Sequence, residues 1–335
     1  MRAIVVDHPG AIVLAERPLP EPPPPGWVAI DIANVGICGT DYHIFGGRQP
    51  FLSYPRVMGH ELSGRVVADG DGFRAGDLVI VNPYIACGEC RACRRGKANC
   101  CAHLSVLGVH RDGGLCERLN VPARNLIAAG PLGAEQAAMV EFLAIGAHAV
   151  RRSALAAADR VAVVGAGPIG LGTALFARLR GAEVHLIDTS PARLALVADR
   201  FGFAPTHTDG DAARAAATDG EGFDVVFDAT GSNAAIEHGF GLVGHGGTFV
   251  LVSVVQGTIT FEDAAFHKRE MQLLASRNAT AEDFATVISA ISSGAIDTAR
   301  LVTHRTPLHQ LAERLPGWAA SRDTVIKAMV QVEGT

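Results

Sequence analysis

Between Arg160 and Asp188 the sequence permits few folds. Val161–Val164 is a short apolar run that reads as a buried strand. It leads straight into Gly165-Ala166-Gly167-Pro168-Ile169-Gly170, after which a helical pattern continues to Arg180. A second strand, Glu183 to Ile187, ends on Asp188. A G-x-G-x-x-G turn alone is a weak signal, because glycine-rich turns are common. A strand before it, a helix after it and an acid about 20 residues on make it specific for a dinucleotide. Gly165 permits the tight turn, Gly167 lets the backbone approach a pyrophosphate, and Gly170 lets the helix lie close to the strand. Gly165, Gly167, Pro168, Ile169 and Gly170 are therefore the cofactor-binding candidates, with a helix amino terminus facing the phosphates. Asp188 accepts hydrogen bonds from the adenosine ribose hydroxyls on this reading and repels a 2′-phosphate, which selects NAD over NADP. Arg193 could soften that choice. The competing reading is a structural βαβ turn without a ligand.

The texture around this unit divides the chain. At 335 residues, and about 150 per domain, two domains are expected. Residues 1–125 alternate short β-rich runs with Gly, Pro and Asp punctuation and read as a mostly antiparallel or barrel-like β domain. The proline-rich run from Leu19 to Gly26 reads as a stiff connector rather than a recognition ligand. Residues 134–158 are alanine-rich and helical in pattern, and from Arg160 to about 274 strand and helix alternate, as a parallel sheet requires. The tail carries a helix around Ala281–Ser293 and a last strand within TVIKAMVQV, and is expected to rejoin the first domain.

Seven cysteines are present, and five of them fall between Cys87 and Cys101. A secreted disulfide framework spreads its bridges more widely, so these thiols read as metal ligands. Cys87, Cys90 and Cys93, with a fourth from the Cys100-Cys101 pair, suit tetrahedral zinc with no open position, a folding role rather than chemistry. An iron–sulfur cluster is the rival reading.

Cys38-Gly-Thr40-Asp41-Tyr-His43 and Gly59-His60-Glu61 lie in the β domain. Cysteine, histidine and a carboxylate can hold zinc and leave one position for a substrate. Together with the cysteine loop and the nucleotide turn, the motifs CGTDYH, GHELSG, CGECRACRRGKANCC, VGAGPIGLG, SRNA and VIKAMV, in that order, resemble the zinc-containing medium-chain alcohol dehydrogenase family, polyol and sugar-acid branch.

That resemblance implies an α/β chain with a GroES-like β-barrel catalytic domain over 1–146, carrying the structural zinc lobe at about 84–104. A Rossmann doubly wound parallel-sheet NAD-binding domain spans 147–274, and 275–335 returns to the catalytic domain. It implies two zinc ions per chain and NAD. Cys101 becomes the fourth structural ligand, and Cys38 and His60 the catalytic ones. Asp41 is similar to the carboxylate that orients the histidine ligand, Thr40 to the hydroxyl that takes the substrate proton, and His43 to the relay toward solvent. Zinc stabilises an alkoxide, from which hydride leaves carbon more easily than from an alcohol.

For the third catalytic ligand two carboxylates compete. Glu61 adjoins His60, and neighbours on an extended strand point to opposite faces. Glu141 stands alone in AAMVEFLAIGAHAV and needs a partner there. The resemblance puts Glu141 slightly ahead and leaves Glu61 as direct or exchanging, although Phe142 stands where the branch has proline. Ala158-Asp159 and the short stretch Val66–Phe73 also depart from the family pattern. His148 reads as a satisfied core histidine. Arg277, in SRNA, matches an arginine that faces the substrate cleft, and can hold vicinal hydroxyls or grip a carboxylate; bracing the domain junction is its bland alternative.

Composition narrows the partners. Lys plus Arg number 29 against 34 Asp plus Glu, a net charge of -5, and aromatics are 6%. Neither nucleic acid nor a membrane is therefore an expected partner, and a small hydroxylated molecule is. The uncharged stretch Val161–Ala177 is shorter than the ~20 residues of a membrane span. The start, MRAIVVDHPG, is too broken for a signal core, so the cytoplasm is expected. The chain is expected to form a homodimer or homotetramer. The leading reading is an NAD-dependent zinc dehydrogenase that interconverts a secondary alcohol and a ketone. A simple secondary-alcohol or threonine dehydrogenase, and a catalytically idle binding protein of this fold, are the alternatives.

Overall fold

The computed structural model describes residues 1–49 and 52–332. They form two compact units, Met1–Glu141 with Ile288–Thr335, and Phe142–Val287.

In the first unit, among the described residues, a seven-stranded sheet runs in the order Leu126–Ala128, Leu78–Val81, Glu61–Val66, Trp27–Ile37, Lys327–Gln331, Val302–Pro307, with Arg118–Pro122 also paired to Trp27–Ile37. Its pairs are antiparallel except that of the two carboxy-terminal strands. Alternation explains the start of Trp27–Ile37: Val28, Ile30 and Ile32 point inward and are buried, while Asp31 is exposed. Beyond Ile32 every residue of that strand is buried. The tail strand pairs with Trp27–Ile37, with Ala328 opposite Ile37 and Gln331 opposite Asn34. A small pair, Tyr84–Ile85 with Ser105–Val106, lies at the base of the cysteine loop.

The second unit holds a six-stranded parallel sheet in the order Thr206–His207, Glu183–Ile187, Arg160–Val164, Phe223–Asp228, Val243–Leu251, Gln272–Ala275. The chain winds outward in one direction from Arg160–Val164, then starts again on its other side at Phe223–Asp228. That reversal is the switch point at which doubly wound sheets bind ligands. Phe223, Phe227 and Phe249 are fully buried, and Phe249 meets the Phe240 ring edge-on at 4.8 Å.

Two expectations shift. The helical stretch expected over 134–158 is two helices, Ala134–Ala138 and Val140–Ser153. The second unit also runs to Val287, past the expected boundary at 274, because Asp283 on helix Ala281–Ser292 is bonded to His148 and Arg151 on helix Val140–Ser153. Among the described residues no helix is long and apolar enough to cross a membrane.

Candidate active site

The nucleotide turn has the local geometry its glycines demand. Gly165 has φ +96°, and a Cβ there would lie 3.0 Å from the Ala229 carbonyl. A Cβ on Gly170 would fall 1.8 Å from the Gly165 oxygen, so only glycine lets helix Pro168–Leu179 come this close to the strand. A Cβ on Gly167 would meet nothing within 4 Å, which leaves its backbone open to a ligand. Pro168 sits at the start of the helix, where its missing N–H costs no helical bond. Asp188 Oδ2 accepts the Ala166 N–H at 2.8 Å and Oδ1 the Ser190 N–H at 2.9 Å, so the acid is tied to the turn itself. Arg193, in the first turn of helix Pro191–Phe201, is 6% exposed.

In the cysteine loop the four thiols expected to act together converge. Cys90 and Cys93, one turn apart about helix Arg91–Arg94, have sulfurs 3.5 Å apart. Cys87 and Cys101 are also 3.5 Å apart, and the Cys87–Cys93 and Cys90–Cys101 distances are 4.0 Å. Zinc–sulfur bonds of ~2.3 Å in a tetrahedron place sulfurs roughly 3.8 Å apart, so this donor set fits the ion. Backbone N–H groups of Cys87 and His103 reach Cys101 Sγ, each at 3.3 Å, and stabilise a thiolate there. Cys100 is exposed and stands outside the cluster.

The second cluster is built where strand Trp27–Ile37 ends. Cys38 caps helix Gly39–Phe45, and the Asp41 carboxylate turns back to accept its N–H at 2.9 Å. Asp41 also accepts the Gly59 N–H at 3.3 Å, and its Oδ1 lies 3.8 Å from His60 Nδ1. Gly59 has φ +93°, and a Cβ on it would press on Val35 at 2.9 Å; this turn swings His60 into the interior. The donor atoms of Cys38, His60 and Glu61 all lie within 4.8 Å of one another. His60 Nδ1 is buried without a hydrogen-bond partner. Burial opposes the imidazolium, but the charges of Asp41, Cys38 and Glu141 outweigh it and hold the His60 pKa well above its ordinary value. A thiol, an imidazole and a carboxylate in so anionic a pocket suit a divalent cation.

The strand-alternation argument against Glu61 does not apply. His60 precedes strand Glu61–Val66, so the pleat does not govern it, and both side chains reach the cluster. Glu61 is fully buried, and Lys327 Nζ donates to both of its oxygens at 2.7 Å. A Cβ on Gly36 would stand 2.1 Å from Glu61 Oε2, so that glycine makes room for the carboxylate. Glu141, in the first turn of helix Val140–Ser153, accepts the Tyr84 hydroxyl and lies outside the three-donor set. Burial, reinforced by the Glu61 charge, pushes its pKa up to about 7 against the opposing pull of His60, Tyr84 and Lys327.

Thr40 is half-buried on the same short helix, and His43, one turn on, is exposed. Partial desolvation, then the charges of Arg48 and Arg322, lower the His43 pKa. Arg277 is exposed in the second unit, just after strand Gln272–Ala275. His148 is a paired core histidine, its Nδ1 2.8 Å from Asp283 Oδ2.

The Alcohol dehydrogenase GroES-like domain matches residues 24–131, and the Zinc-binding dehydrogenase domain matches residues 168–293. The chain is 43% identical over 336 residues to L-galactonate-5-dehydrogenase of Escherichia coli K12, covering 98% of each chain. It belongs to the zinc-dependent alcohol dehydrogenase family. D-altritol 5-dehydrogenase of Agrobacterium fabrum is 32% identical over 93% of this dehydrogenase and 94% of its own length. A solved alcohol dehydrogenase, rspB of Escherichia coli CFT073 complexed with NADH, superposes with a TM-score of 0.91 at 29% identity over 99% of each chain. The GroES-like and Rossmann architecture, zinc, and NAD are thus those of the family.

Three residues that shape the site of this dehydrogenase had no role in the sequence reading: Lys327, Gly36 and Tyr84. Lys327 carried a visible signal, a lone cation in the apolar run VIKAMV, by the same logic that singled out Glu141. Gly36 and Tyr84 had none, because their partners Glu61 and Glu141 are distant in sequence.

Proposed function

We propose that this dehydrogenase interconverts a secondary hydroxyl of a polyol, sugar or sugar acid and the corresponding ketone, with NAD(H) as the hydride carrier. The observation that carries this reading is the Cys38–His60–Glu61 donor set with a second buried carboxylate, Glu141, beside it. On this reading Cys38, His60 and Glu61 hold the catalytic zinc, and Cys87, Cys90, Cys93 and Cys101 a structural one. Zinc supplies a Lewis acid that lowers the pKa of a hydroxyl, and nicotinamide accepts hydride from carbon.

The chain's own residues do the rest. Asp41, with Oδ1 3.8 Å from His60 Nδ1, orients the imidazole through its charge. Thr40 takes the substrate proton, and His43, kept neutral by its lowered pKa, carries it to solvent from one turn further along the helix. Glu141, with a pKa near neutrality and a tyrosine partner, holds a substrate hydroxyl next to the reacting one. Asp188 reads the adenosine ribose, and Arg277 is the candidate to hold vicinal hydroxyls of the substrate.

L-galactonate-5-dehydrogenase, at 43% identity, supports a sugar acid within this class. The reading includes a homodimer or homotetramer in the cytoplasm, and light scattering on the purified protein tests the assembly. The decisive experiment is NADH formation across L-galactonate, D-altritol, sorbitol, L-threonine and 2-propanol with zinc-loaded enzyme. Turnover on polyols or aldonates is expected. Turnover confined to threonine or to 2-propanol moves the enzyme to the simpler alternatives, and none at all contradicts the reading.

A further inference from the structure

Helix Gly39–Phe45 ends beside a histidine and two arginines that zinc binding does not use. His43 lies in its last turn, and the Arg48 backbone N–H donates to the His43 carbonyl at 2.8 Å. From a distant part of the chain, Arg322 lays its guanidinium 5.0 Å from the centre of the Tyr42 ring. His43 and Arg48 are exposed, and Arg322 is half-buried. These groups act on one another: the His43 pKa is lowered by desolvation and then by Arg48 and Arg322, and that of Arg322 by burial and then by Arg48. Two segments far apart in sequence thus bring like charges together near the end of the helix that carries Thr40.

We infer that Arg48 and Arg322, with His43, form a carboxylate-binding site that selects an acidic substrate. The inference rests on the secondary-alcohol reading above and names the acid end of its substrate. Geometry sets the reach. In an extended six-carbon aldonate oxidised at C5, four carbon–carbon bonds separate the reacting carbon from the carboxyl carbon, roughly 5 Å. One helical turn is ~5.4 Å, so a substrate of that length whose reacting hydroxyl lies by Thr40 can reach the end of the helix, where His43 stands and Arg48 and Arg322 approach. Guanidinium is the side chain suited to that group, because its planar fork can bind both oxygens. The rival role is local, with cations satisfying the last carbonyls of the helix. That role is indifferent to the charge of the substrate.

L-galactonate and galactitol are a matched pair that differ at one end, a carboxylate against a hydroxymethyl group. Calorimetric binding of each to zinc-loaded, NADH-saturated enzyme tests the site, and turnover with NAD tests the reading beneath it. Wild type is expected to bind L-galactonate more tightly than galactitol. Arg48→Gln or Arg322→Gln should each weaken L-galactonate binding about tenfold, and the double variant about a hundredfold, the scale of lost charge-assisted bonds. Galactitol binding and NAD affinity should stay within about twofold, which also reports an intact fold. Equal losses for both sugars, or no preference in the wild type, overturn the site. Weakened NAD binding overturns it too, because the cluster then serves the cofactor's pyrophosphate. Selective binding without turnover leaves the anion site standing and removes the dehydrogenase reading.

Discussion

Replacing Lys327 by methionine removes the positive half of a buried pair and keeps most of the volume. The side chains of Lys327 and Glu61 are 1% and 0% exposed, and Nζ makes two 2.7 Å bonds to the carboxylate and one of 3.3 Å to the Ile37 carbonyl. The loss is therefore not the modest value of a surface pair. It is the cost of leaving a carboxylate buried without its partner, about 3–5 kcal/mol. For a domain of this size each kcal/mol moves the melting temperature by roughly 2–4 °C, so the metal-free variant should melt on the order of 10 °C lower. Added zinc supplies positive charge to the same carboxylate and should recover part of that shift. A second change, Glu61→Gln, removes the stranded charge, so Lys327→Met/Glu61→Gln should be more stable than Lys327→Met alone. Calorimetric melting of the four proteins, with and without zinc, closes the cycle. A Lys327→Met shift below about 2 °C, or a double variant no better than the single, refutes the reasoning.

Cys90→Ser should bind one zinc fewer per chain and melt earlier, because three thiolates leave the loop without its clamp; metal analysis and calorimetry check both. Asp188→Ala should weaken NAD binding roughly tenfold, the scale of a lost charge-assisted bond, and raise relative use of NADP; fluorescence titration of both cofactors measures it. Asp283 is buried, which opposes its charge, yet bonds from His148, Arg151 and Thr280 depress its pKa below the ordinary value. Its stabilisation is therefore full above the unfolded pKa of about 3.9 and is lost as pH falls through the folded value. Asp283→Asn should cost about 2–3 kcal/mol at pH 7, discounted because Arg151 is 33% exposed, and the gap from wild type in urea should narrow below about pH 4.

What could be read from the sequence was local. The glycine turn and its acid span fewer than 30 residues, so spacing alone specifies strand, turn, helix and strand. The four cysteines are as compact, and the loop brings their sulfurs together with Cys101 rather than Cys100. The Glu61–Lys327 pair closes across 266 residues of chain, and no periodicity links two such positions before the last strand docks beside Trp27–Ile37. Gly36 looks like any strand glycine until the Glu61 carboxylate is seen where its Cβ would be. Alternation misled at Glu61 because the left-handed turn at Gly59 puts His60 ahead of the strand. The boundary after 274 was hidden for a similar reason, since Asp283 reaches back 135 residues to His148.

The central claim is that the Cys38–His60–Glu61 set holds the zinc that works on the substrate, apart from the zinc of the cysteine loop. Metal content, NAD affinity and NADH formation measured together on wild type and Cys38→Ser test it most directly. The account predicts two zinc ions per chain in the wild type, and in Cys38→Ser one zinc ion, unchanged NAD binding and no turnover. Two zinc ions and near-normal turnover in Cys38→Ser would contradict it.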